Sequence, residues 1–123
     1  MPPCSCHTTF VDEVSPMRKI ERQMNDAITN AKNWHSDNTQ VCWDGAAQVA
    51  EVFLHGNLIA KIGSCWIQLF DGNHQSNTTK SRLNAILTEH GIDGERVFQK
   101  NFNWFVSVPN GGAIPFFSGM RLN

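Results

Sequence analysis

From Asn33 to Phe70 the chain is rich in β-branched and aromatic residues, and turn formers cut it into short runs. A helix with a repeating apolar face needs about ten residues or more, and none of these runs reaches that length. Asp44-Gly45, His55-Gly56-Asn57 and Gly63-Ser64 carry the residue types that accept positive φ in tight turns. The stretch is therefore predicted to form an antiparallel meander with strands at Thr39–Trp43, Gln48–Leu54, Leu58–Ile62 and Cys65–Phe70. The fold class that follows is α+β, because the sequence on either side of the meander reads as helix.

Ahead of the meander, Ser15-Pro16 supplies a capping hydroxyl and a first-turn proline. Met17, Ile20, Met24, Ala27, Ile28 and Ala31 then recur at helical spacing, with Arg18, Arg22, Asn25, Asp26 and Thr29 on the opposite face. This amphipathic helix is expected to pack in the core. Its methionines and small alanines also suit a subunit contact, so a homo-oligomer, a dimer or higher, is expected through residues 16–33.

After the polar loop Asp71–Ser76, a second helix is predicted from Asn77 or Thr78 to Gly91, inserted between strands. Leu83, Ile86, Leu87 and His90 form its buried stripe, and Lys80, Arg82 and Asn84 are expected on the flanks. On that placement, truncating Arg82 should cost little stability. Glu95–Lys100 and the aromatic run up to Val106 read as two paired strands, with Asn101 or Asn103 suited to the hairpin turn. Ile114–Phe117 is a last short strand, held to an edge by Pro115.

The length of 123 residues and a hydrophobic content of 41% fit one domain with its own core, over residues 15–123, preceded by a flexible segment over 1–14. A net charge of -1 argues against a broad footprint on duplex nucleic acid. No apolar run approaches the roughly 18 residues of a membrane span, and no secretion signal opens the chain, so the expected location is the cytosol. Cys4, Cys6, Cys42 and Cys65 show no paired Cys-x-x-Cys modules, so disulfides are not expected. Cys4-Ser-Cys6-His7 lacks the second half of a metal site, and no metal or cofactor is expected.

No nucleophile with its base, paired acids or metal cluster is legible, so the expectation is a protein that is not an enzyme. His55 reads as a turn residue, His90 as a satisfied boundary residue and His74 as a solvated loop residue. Asp71 and Asp93 belong to Asp-Gly turns, and Ser64-Cys65 carries no cue of activation. Two features suit an anionic ligand. The start of the second helix offers N–H groups at Thr78 and Thr79, with Lys80, Arg82 and Asn84 alongside, although plain capping explains the same residues. In the aromatic run, alternation sends about half the rings to the core and leaves Phe102 and Trp104 to stack a base, with Lys100 for a phosphate.

The segments Val52–Ala60, Thr78–Ala85 and Val97–Val106 resemble a family of small proteins of tailed bacteriophages, over about Met17 to Leu122. The length and the order helix, meander, helix, aromatic hairpin look like the first type of phage anti-Thoeris protein. That resemblance implies a non-catalytic sponge that sequesters cyclic ADP-ribose isomers, with some members assembling from dimers into rings that also hold cyclic nucleotides. It assigns no ligand contact residue by residue. The alternative is an inhibitor that docks on a host protein or single-stranded nucleic acid through the aromatic hairpin.

Overall fold

The computed structural model describes residues 18–122. The helix start expected at Ser15-Pro16, the flexible segment 1–14 and the Cys4-Ser-Cys6-His7 cluster all lie outside the described residues. Among those described, the chain is α+β, as expected, with antiparallel pairing throughout.

Helix α1 (Lys19–Thr29) buries Met24, Ala27 and Ile28, and it ends where Ala31 takes φ 54. There the Ala31 and Lys32 N–H groups donate to the carbonyls of Ile28 and Ala27, so an alanine holds the left-handed position usually given to glycine. Strands β1 (Trp34–Ser36), β2 (Thr39–Asp44), β3 (Val49–Leu54), β4 (Asn57–Ile62) and β5 (Ile67–Leu69) follow as a meander. The His55-Gly56 turn adopts the expected positive φ at both residues and pairs Leu54 with Asn57. The Asp44-Gly45 signal ends β2, but the turn is longer than a two-residue hairpin. The Asp44 carboxylate accepts the N–H groups of Ala46 and Ala47, and Gln48 supplies the positive φ.

Two strands went unread in the sequence. One is β1, and the other is β9 (Met120–Leu122), which pairs with β5 and completes a six-stranded sheet in the order β1-β2-β3-β4-β5-β9. Strands β6 (Arg96–Lys100), β7 (Asn103–Ser107) and β8 (Ala113–Pro115) make a second, three-stranded sheet.

Helix α2 (Asn77–His90) contacts α1, β4 and β6, and so joins the two sheets. Leu83, Ile86 and Leu87 are each at most 2% exposed, and burial of such side chains contributes roughly 1.5–3 kcal/mol apiece. Met24, Ala27 and Ile28 of the α1 stripe are buried inside the chain itself, whereas Ala31 at its end is exposed. Cys42 is a free thiol. No helix among the described residues is long and apolar enough to cross a membrane.

Candidate functional site

At the expected anion site, the Thr79 N–H and the Arg82 guanidinium are taken by the protein's own groups. Ser76, rather than Asn77 or Thr78, caps the helix, and its hydroxyl accepts the Thr79 N–H at 3.1 Å. Thr78 is half-buried, and Thr79 is buried with its hydroxyl donating toward the His74 carbonyl.

Arg82 corrects the flank placement outright, being 3% exposed. Its Nη1 meets Glu21 Oε2 at 2.8 Å, its Nε donates to Thr39 Oγ1 at 3.0 Å, and its Nη2 lies 3.4 Å from Asn38 Oδ1. Ser81 Oγ donates to the same Glu21 oxygen at 2.6 Å. The network ties α1, α2 and β2 together, so Arg82 is a structural clasp with no fork left for a phosphate.

Asn84 is likewise structural. Its Oδ1 accepts the Val97 N–H at 2.6 Å and its Nδ2 donates to the Val97 carbonyl at 2.9 Å, so it stands in for a neighbouring strand on β6. Trp104 is 5% exposed and packs edge-on against Phe116 with ring centroids 5.3 Å apart. Its expected role as a stacking surface is therefore corrected to that of a core residue. Lys80 reaches the Gln99 side chain at 3.4 Å. Of the eight expected residues, Lys100 and Phe102 are the ones that stay exposed.

The reason lies in one turn. Asn101 and Phe102 both have positive φ, 53° and 70°, which makes them the two-residue loop between β6 and β7. Lys100 then pairs with Asn103, Phe98 with Phe105 and Val97 with Val106. Val97, Trp104 and Val106 are buried, so alternation turns Arg96, Phe98, Lys100, Asn103 and Phe105 to the opposite face. The Phe98 and Phe105 rings stack there at 5.7 Å with 22° between their planes, and both are half-buried.

Phe98, Phe105 and Arg96 are thus the residues that the sequence reading missed. Taking Asn101 rather than Asn103 as the first turn residue would have found them, because the register then sets the face of every ring.

This outward face combines aromatic rings and cations. Arg96 and Lys100 flank Phe98 along β6, Pro115 lies opposite Phe105 on β8, and no carboxylate shares the face among the described residues. Rings on an open strand pair, with cations two residues either side, can stack bases and hold phosphates.

Two cavities of about 170 Å³ each lie elsewhere. The first is lined in part by Trp66, His90, Ile92 and Leu122. The second lies under the start of α2 and is lined by His55, Asp71, His74 and Thr79 among others. His90 is not the satisfied residue expected: its Nε2 is buried without a partner, and burial lowers its pKa to about 4. Arg121 lies 4.3 Å above the Trp66 ring, a cation on an aromatic face. No group of three or more His, Cys, Asp or Glu among the described residues is arranged to hold a metal ion.

Comparison with curated proteins and with solved structures gives no match. Comparison with protein families gives the Kyanoviridae Gp96 protein family, over residues 17–123. The chain belongs to the Kyanoviridae Gp96 family and is a phage protein.

Proposed function

We propose that this phage protein is a non-enzymatic binder of nucleotide ligands, which it takes on the outward face of its small sheet. The observation that carries the reading is the stacked Phe98–Phe105 pair between Arg96 and Lys100, on a face without a carboxylate among the described residues. Each ring offers a π-face for a base, and each cation a partner for a phosphate.

Sequestration of a cyclic ADP-ribose-type signal is the form of nucleotide binding that the resemblance implies. It draws less support from the geometry. Enclosing a small ligand takes a pocket of roughly 300 Å³ or more, and the two cavities beside His90 and under the start of α2 are about 170 Å³ each.

The test is binding by the full chain to a panel of cyclic ADP-ribose isomers, mononucleotides and short oligonucleotides, followed by heat denaturation and recovery of the ligand. At least one member should bind, should return chemically unaltered, and should bind about tenfold more weakly to Phe98→Ala, the loss of one stacked base. Binding by none of them, or binding indifferent to both Phe98→Ala and Arg96→Gln, overturns the proposal.

A further inference from the structure

We infer that the ligand of this face is a single-stranded polynucleotide, and that Phe102 at the hairpin tip is one of its stacking positions. This rests on the reading of the face given above and narrows it to one class of ligand.

The first argument is openness. Neither cavity includes a residue of the outward face, so a mononucleotide there would gain one stack and one charged contact and dissociate on the order of millimolar. Useful affinity has to come from several such contacts on one molecule.

The second is repetition along the strand. Arg96 and Lys100 stand at opposite ends of β6 with Phe98 between them, a separation of roughly 13 Å at about 3.3 Å per residue. Phe102 extends the series past Lys100 at the turn. A cation, ring, cation and ring in succession match a chain of alternating phosphates and bases, and they exceed the reach of a single nucleotide.

The third is Phe102 itself. It is 92% exposed and held at φ 70, a position where glycine or asparagine is favoured and a bulky side chain is an outlier. Both water and the local backbone disfavour a phenylalanine there. The turn thus holds a bare ring clear of the fold, which suits an outside partner.

Two cations and a net charge of -1 are too few for a duplex, which is gripped through many phosphates. A bare ring at the turn beside two half-buried rings on the sheet stacks on unpaired bases, which a duplex does not offer.

Labelled oligothymidylates and oligouridylates of about 3, 6 and 12 residues, spanning the usual site sizes of single-strand binding folds, would be titrated against the full chain. A duplex of the longest length and a cyclic ADP-ribose isomer complete the set. Affinity should rise at least tenfold from the shortest to the longest strand, and the duplex should bind at least tenfold more weakly. Phe102→Gly and Phe105→Ala should each weaken the longest strand about tenfold with unchanged circular dichroism. The slope of log affinity against log salt should be near about -1.4 for two phosphate contacts, and Lys100→Gln should reduce its magnitude by about 0.7.

If the cyclic isomer or a mononucleotide binds as tightly as the longest strand, and still depends on Phe98, the polynucleotide inference fails while the nucleotide-binding face stands. If Phe105→Ala weakens binding and Phe102→Gly does not, the role of the tip fails. If nothing binds, both proposals fall together.

Discussion

Arg82 on α2 and Glu21 on α1 meet at 2.8 Å with each residue only 3% exposed. Removing one partner of such a pair strands the other charge in the interior, which costs about 3–5 kcal/mol. Arg82→Ala should therefore shift urea unfolding by that amount, and pairing Arg82→Met with Glu21→Leu should recover a large part of it. A single variant within about 1 kcal/mol of the parent would mean that the clasp is solvated.

Asn84 satisfies both backbone groups of Val97, and Val97 is 1% exposed. Asn84→Leu leaves an N–H and a carbonyl without their partner, at about 1–3 kcal/mol for each buried group. Hydrogen exchange is the sharper measurement: the Val97 amide should lose protection more than the amides of the six-stranded sheet. Equal loss everywhere would refute a local latch.

At the hairpin tip, stability and binding are expected to move in opposite directions. Phe102→Gly relieves a left-handed backbone cost of roughly 1–2 kcal/mol, partly offset by the greater freedom of glycine in the unfolded chain. A net gain of about 0.5–1 kcal/mol should appear as a melting temperature higher by roughly 2–5 °C. Trp104→Ala, a core truncation beside Phe116, should instead lower stability by about 3–5 kcal/mol. A lower melting temperature for Phe102→Gly would count against strain at the turn.

His90 sets a pH dependence. Its folded pKa is lowered to about 4 by burial, against 6.5 ordinarily, so between those values the unfolded chain binds the extra proton. This residue adds no slope above about pH 6.5. Below that its contribution to stability should fall by roughly 3 kcal/mol in all by pH 4. His90→Leu should flatten that part of the profile in chemical denaturation at pH 7 and pH 4.5. A parent profile without the drop would show that the imidazole finds a partner when charged.

The local parts of this fold were legible in the sequence. The His55-Gly56 turn, the alternation in β3 and the span of α2 each follow from neighbouring residues, because turn conformation, pleat and helical stripe are set within a few positions. Pairings between distant segments were not. Strand β9 is three residues long and gains its place only from β5, and β1 only from β2. Nothing near Met120 in the sequence announces a partner near Leu69.

The binding candidates divide along the same line. Alternation offers Phe102 or Trp104 as a stacking ring with Lys100 beside it, and the turn at Asn101 and Phe102 leaves Lys100 and Phe102 exposed. Arg82 read as exposed because a helix flank ordinarily meets water, and Trp104 read as available because either ring parity was open. By itself, the sequence determined the helices, the meander and the residue types able to bind an anion or a base. Tertiary structure decided which of them remain free. Glu21 arrives from α1, some sixty residues away, and satisfies Arg82, while Val97 reaches Asn84 as α2 packs along β6. A charge or a ring is available to a partner only when the folded chain has not already used it, and that depends on contacts no local window contains.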